Sequence, residues 1–427
     1  MALEFPRMFV ARQLFPETPR LDIPKVLQRE FEASKVLDTL KPGARIAVAV
    51  GSRGITNLAV IVRAVLRILE AAGARPFIIP AMGSHGGATP EGQRGVLEEY
   101  GISESTMAVP IRPSMEVQRL GVTDDGTDVF CSVEALRSDG VIIVNRVKPH
   151  TDFGGTLGSG VLKMIVIGLG KRDGAAACHA AASRLGYERV IRSVARITLR
   201  SAPILCGVAI VENQFHDTAR IGVLKPTEIE DRESRFLDEA RRLMPRLPFN
   251  DIDLLIVDRI GKNISGSGMD PNVTGRWANG NEPSAGSEIQ IHPTIRRIFV
   301  RDLTPETRGN AIGIGSADLT TTRLVNAMDK RTTYINALTA LHPESAKVPI
   351  HFDTDRECVE QALASLGMSD TRLAKIIRIA DTLSLANLEV SEAYAGALQV
   401  RSDMEAQGES WDLQFDSTGN LLPLRAR

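Results

Sequence analysis

Short apolar runs alternate with longer stretches of helical periodicity through the first half of the chain. Residues 45–50 (RIAVAV) read as a buried strand that ends in Gly51-Ser52-Arg53-Gly54. Residues 57–72 (NLAVIVRAVLRILEAA) carry apolar side chains at helical spacing and close on Gly73, which suits a helix C-cap. A second strand-like run, residues 76–82 (PFIIPAM), ends in Gly83-Ser84-His85-Gly86-Gly87. Thr89-Pro90-Glu91 then predicts a helix start, with proline near the first helical position and the helix running through Glu99. The strand-to-loop part of the pattern returns a third time at residues 140–150.

This alternation predicts an α/β fold: a Rossmann-like N-terminal domain built on a parallel sheet, with helices on both faces. Ligands of such sheets sit beyond the carboxyl ends of the strands. Arg53, His85 and His150 each fall at such an end, so three reactive side chains converge on one edge. A further strand is expected at 204–212 and an amphipathic helix at about 228–243. Pro245, Pro248 and Asn250 then punctuate the chain. We therefore expect an N-terminal domain over 1–247 and a smaller α/β domain over 248–400. The latter would have strands at 253–258 and around 298–300, a Gly/Asn/Ser-rich loop at 261–280 and a final helical region over 357–398. The polar tail, 401–427, reads either as an extension packed on the N-terminal domain or as a frayed end.

Composition narrows the function classes. The chain's 427 residues suffice for two domains with cores of their own. Lys and Arg (51) balance Asp and Glu (52), which removes any general attraction to nucleic acid or anionic membrane. Aromatics at 4% argue against a stacking surface for single-stranded nucleic acid. The four cysteines are scattered without a CxxC pair, so neither a disulfide framework nor a zinc ribbon is indicated. Without a secretory signal or a membrane-spanning apolar run, a soluble cytoplasmic protein is expected.

The densest chemistry lies between Asn145 and His179, NRVKPHTDFGGTLGSGVLKMIVIGLGKRDGAAACH. Lys148, His150, Lys163 and His179 stand there among glycines and small apolar residues. Arg53 precedes a helix N-terminus, which favours an anion clamp over a plain loop charge. His85 and His150 read equally as structural imidazoles or as proton carriers. Gly154, Gly155, Gly158 and Gly160 could cradle phosphates through backbone N–H groups, although neither a P-loop nor a dinucleotide fingerprint is present. Lys163 opens the apolar run 164–169; it pairs with a surface acid or, if desolvated, serves in covalent chemistry.

Taken together, GSRG, GSHGGATPEGQ and NRVKPH…LKMIVIGLGKR…H resemble the nickel-pincer lactate racemase family. The resemblance is strongest from Ala47 to His179. It implies a two-domain α/β protein holding a nickel-pincer nucleotide, a pyridinium mononucleotide with two sulfur-bearing arms. It further implies that Lys163 carries the cofactor through a thioamide, that His179 is the protein ligand to nickel, and that His85 and His150 are acid/base residues on opposite faces of the substrate. Arg53 would hold the substrate carboxylate. Cofactor maturation enzymes are implied as partners. Histidine suits proton exchange with a hydroxyl, since its pKa of roughly 6.5 lets it take and return a proton near neutrality.

Two departures bear on the substrate. Gly51-Ser52 stand where the family often has an acidic residue. The family's Gln/Lys pair after a D-x-N stretch has no counterpart in register behind Asp270-Pro271-Asn272, where Lys262 or Arg276 could substitute. The sequence therefore points to C2 inversion of a 2-hydroxy acid larger or more polar than lactate. The alternative is a nickel-independent lyase or binding protein for a phosphorylated or carboxylated small molecule, using Lys163 and the glycine-rich loops.

Overall fold

The computed structural model describes residues 4–52, 54–151, 153–278 and 293–425. The chain divides into two compact units, one formed by Thr18–Met244 and the other by Met1–Glu17 with Pro245–Arg427. The first strand, β1 (Arg7–Gln13), belongs to the latter.

The Thr18–Met244 unit holds β2 (Arg45–Val50), β3 (Arg75–Pro80), a hairpin of β4 (Val117–Val122) and β5 (Asp128–Ser132), then β6 (Gly140–Arg146), β7 (Ile204–Glu212) and β8 (Thr218–Leu224). Its main sheet runs β3-β2-β6-β7-β8. The first four strands are parallel and β8 closes the edge antiparallel. From β2 the chain steps outward to β3 and later returns to β6 on the other side of β2. In open α/β sheets such a reversal marks where ligands bind, at the carboxyl ends of the strands, here β2 and β6.

Strand alternation sorts the core into two layers. Ile46, Val48, Val50, Ile142 and Val144 pack with the helices Ile23–Ser34 and Leu58–Ala71. Ala47, Ala49, Val141 and Ile143 pack with the helices Lys171–Leu185, Tyr187–Ser201 and Ile229–Leu243 on the other face. Leu58–Ala71 buries Leu58, Ile61, Val62, Val65, Leu66 and Leu69, the stripe its sequence spacing foretold. Gly73, at φ 78°, ends it: Gly73 N donates to Glu70 O at 2.9 Å and Ala74 N to Leu69 O at 3.0 Å. The Pro90–Glu99 helix starts as expected, with Thr89 Oγ1 accepting from Gly92 N at 3.0 Å.

The other unit is also α/β. It contains β9 (Asp251–Ile260), β10 (Thr294–Leu303), β11 (Leu319–Thr321), β12 (Ile350–Phe352), β13 (Ile376–Ile379), β14 (Asn387–Ser391) and β15 (Met404–Asp412). Its sheet order is β12-β11-β10-β9-β13-β14-β1-β15, wider than the five-stranded sheet of its companion. Strands β9 to β13 are mutually parallel; β14, β1 and β15 add on antiparallel.

Three expectations differ from this arrangement. Residues 1–17, expected within 1–247, group with the other unit because β1 pairs on both sides, with β14 and β15. The tail, read as packed on the N-terminal domain or frayed, pairs through β15 with β1 and sits in that same sheet. The single helical region expected over 357–398 is a helix, Asp355–Ala364, followed by β13 and β14. Gly367, at φ 67°, follows the helix, and the β-branched run IIRI then goes into the sheet. No described helix is long and apolar enough to cross a membrane.

Candidate functional site

The loops beyond β2, β3 and β6 carry the candidate side chains, and local sequence explains how each is held. After β2, Ser52 O accepts from Tyr100 Oη at 2.9 Å, and Ser52 Oγ is hydrogen-bonded to His85 Nδ1. Arg53, expected to clamp a carboxylate, lies outside the described residues.

After β3, the chain folds tightly over the first turn of the Pro90–Glu99 helix. Gly86, at φ 64°, and Gly92 touch backbone to backbone, so a Cβ on either would collide with the other segment. The wholly buried Gln93 donates from Nε2 to Gly83 O at 2.9 Å and to His85 O at 3.3 Å. Its Oε1 accepts from Lys171 Nζ at 3.1 Å, and that ammonium also donates to Pro80 O at 2.5 Å.

After β6, Lys148 and Ser159 exchange both backbone hydrogen bonds at 2.9 Å, closing the loop that carries His150. His150 stacks on Phe153 at 4.1 Å between ring centroids, and Phe153 stacks on Tyr187 at 5.0 Å. The Nε2 of His150 is hydrogen-bonded to Lys163 Nζ, which also lies 5.9 Å from the Phe153 ring centroid. Tyr187 Oη lies 2.9 Å from His179 Nδ1, and the two rings meet edge-on. Lys163, His150, Phe153, Tyr187 and His179 thus form one contiguous array.

Lys163 ends a single helical turn, Val161–Lys163, that passes into a π-helical turn, Met164–Gly168, a form often found at functional sites. The buried carboxyl of Glu233 holds the start of that turn, accepting from Leu162 N at 3.0 Å and from the Val161 amide. Burial drives the Glu233 pKa up to about 7 against these amide hydrogen bonds. Asn145 Nδ2 donates to Gly160 O at 2.7 Å and ties the same turn to β6.

Residues 12–188 match the sequence profile of the lactate racemase N-terminal domain, a stretch that includes His85, His150, Lys163 and His179. Over those residues the chain is lactate racemase-like. Its fold is similar to that of the lactate racemase apoprotein from Thermoanaerobacterium thermosaccharolyticum. That match has a TM-score of 0.52 at 13% identity, over 90% of this chain and 94% of the other. No curated protein matches in sequence.

Several residues singled out in the sequence have protein contacts of their own. Gly155, Gly158 and Gly160, expected to cradle phosphates with Gly154, have packing reasons for lacking a side chain. A Cβ would collide with Glu188 at Gly155, with Lys148 O at Gly158 and with the Glu233 carboxyl at Gly160. Lys262 and Arg276, expected to bind substrate, lie in the unit with Pro245–Arg427 and have protein partners there. Lys262 Nζ donates to Gly266 O at 2.6 Å; Arg276 is ion-paired with Asp318 and donates to Ile295 O at 2.6 Å. Cys178, beside His179, is buried, and burial pushes its thiol up to about 12.

Ser52, Gln93, Phe153, Lys171, Tyr187 and Glu233 escaped the sequence reading. Glu233 left a signal: it falls on the apolar stripe of Ile229, Phe236, Leu237 and Ala240, where a carboxyl needs a reason. Lys171 left only its place after a Gly-Leu-Gly turn.

Proposed function

We propose that the chain is a racemase or epimerase, an isomerase that inverts C2 of a 2-hydroxy acid with a bound nickel-pincer nucleotide. The observation that carries this reading is the array of Lys163, His150, Phe153, Tyr187 and His179, within the segment similar to the lactate racemase N-terminal domain.

The residues present suit that group. Lys163 would hold it covalently: its amine is half-buried beside His150 and the Phe153 ring, a flat apolar wall that suits a planar pyridinium. His179 would be the nickel ligand, with the Tyr187 hydroxyl at Nδ1 orienting its ring. Among the described residues, no cluster of three His, Cys, Asp or Glu side chains could hold a metal by itself. A metal at His179 would accordingly take its other donors from the cofactor's sulfur arms, a soft set that nickel accepts. When bound, the cofactor supplies a reversible hydride acceptor for C2, the step no side chain can perform.

The chain's own work is proton handling and positioning. His85 and His150 would take and return the hydroxyl proton, one for each enantiomer, since the hydroxyl approaches from a different side in each. Attachment of the cofactor at Lys163 would leave a non-basic, amide-type nitrogen beside His150, which suits His150 as a base. Arg53 would pin the carboxylate with its bidentate fork. The substrate would be larger or more polar than lactate, a reading supported by the missing Gln/Lys pair behind Asn272 and by the commitment of Arg276 to Asp318.

The test is intact mass and nickel content of protein coexpressed with the pincer-cofactor maturation enzymes, beside a Lys163→Ala variant. A covalent mass increase with near-stoichiometric nickel, absent from the variant, followed by C2 inversion in a screen of 2-hydroxy acids, is the expected result. No adduct and no nickel, while a control racemase matures in the same cells, would end this reading. Borohydride trapping at Lys163 with a carbonyl substrate would then indicate the nickel-independent lyase.

A further inference from the structure

Among the described residues, Lys171 is the one lysine that ranks with the largest fully buried side chains, at 1% exposure. It adopts φ 56°, a left-handed conformation that costs a non-glycine residue, at the first position of the helix carrying His179. Burial pulls its pKa down to about 8, and Cys131 on β5, whose thiol burial pushes up to about 12, is the titratable group acting on it. The hydrogen-bond partners of the ammonium are neutral, the Pro80 carbonyl and the Gln93 amide oxygen. A cation buried among neutral groups is costly, and a methionine would fill the same space without that cost.

What the ammonium does for that cost is set by donor chemistry. Lysine only donates and carbonyls only accept, whereas the two ends of a glutamine amide are nearly the same shape. With Lys171 Nζ against Oε1, the Gln93 amide has one orientation, and both N–H groups point at the Gly83 and His85 carbonyls. Those carbonyls flank the turn that sets His85 against Ser52.

We propose that Lys171 and Gln93 are positioning residues for His85: the buried ammonium locks the Gln93 amide, and the amide fixes the glycine loop that aims the imidazole. The functional side of this inference rests on the reading of His85 as an acid/base residue; the structural side does not.

The test uses full-length protein with 15N-labelled histidine, comparing wild type, Lys171→Met and Gln93→Glu, with His85 resonances assigned from His85→Gln. Gln93→Glu keeps an acceptor for Lys171 and removes both donors to the loop, so it carries the test even where Lys171→Met fails to fold. The expected result is a shifted or broadened His85 ring signal in each folded variant, with the His179 signal unmoved. In matured enzyme, kcat should fall at least tenfold with KM within twofold. Unchanged His85 signals in folded Gln93→Glu would overturn the proposal. A perturbed His85 in variants of a matured wild type that racemises nothing would support the positioning role and count against the racemase reading instead.

Discussion

The amine of Lys163 and Nε2 of His150 meet in a hydrogen bond, so two basic nitrogens share one contact. Only one of them can present a proton to the other. If Lys163 is the attachment point and His150 a proton carrier, the two residues should separate in experiment. His150→Ala is expected to keep the cofactor mass on Lys163 while turnover falls by about 10²–10⁴, the usual loss for a general acid/base residue. Intact mass and kcat on the same preparation decide it. Loss of the adduct in His150→Ala, as complete as in Lys163→Ala, would make His150 an attachment residue.

Tyr187 meets His179 through its hydroxyl and Phe153 through its ring, so the two contacts can be tested apart. Tyr187→Phe keeps the stack and removes the hydrogen bond. Groups that orient a metal-binding histidine are worth about 10–100-fold in metal affinity. Nickel retained after dialysis against a chelator should fall by that factor in Tyr187→Phe, with the covalent adduct on Lys163 intact. Equal retention in the two proteins would remove Tyr187 from the metal's surroundings.

Local patterns made much of this molecule legible in advance. The Leu58–Ala71 stripe, the Gly73 terminus and the Thr89-Pro90 start depend on neighbours a few residues away, and the sequence displays those neighbours. Histidines at strand ends were visible for the same reason. The membership of β1 and β15 in the other unit was not, because their pairing is set across nearly the whole chain length. Residues 376–379 were misread as helix because four apolar-rich residues have no period to distinguish the two states. Lys171 and Gln93 were missed because they lie 78 residues apart in sequence and a buried polar pair shows itself only after the fold brings it together.

Glu233 gives a pH dependence of stability with a definite sign. Its carboxyl is raised from 4.5 to about 7 by burial, so between those values the folded state holds a proton that the unfolded state releases. Stability from this group is therefore full below about pH 4.5 and is lost as pH rises toward and through 7; a shift of this size corresponds to about 3 kcal/mol as an upper figure. Glu233→Gln cannot titrate. Denaturant midpoints from pH 5 to 8 should fall less steeply in this variant than in wild type, and parallel curves would refute the assignment. Glu233→Ala, leaving the Val161 and Leu162 amides without their acceptor, should cost about 2–4 kcal/mol near pH 5 and less as pH rises through 7.

Arg276 separates a structural role from a substrate role. Its guanidinium is paired with Asp318 and donates to Ile295 O, and Asp318 in turn accepts from Ile298 N at 2.8 Å. The ion pair is about a quarter to a third exposed, so solvent screening keeps its own contribution small. Losing the donor to Ile295 adds to it, and Arg276→Ala should cost about 1–2 kcal/mol, a drop of a few degrees in Tm for a unit of this size. Because the guanidinium is engaged, KM for the matured enzyme's substrate should stay within twofold. A tenfold rise in KM at unchanged Tm would return Arg276 to the substrate. It would also mean that the Asp318 pair opens when the acid binds, a change visible as loss of the KM effect in Asp318→Asn.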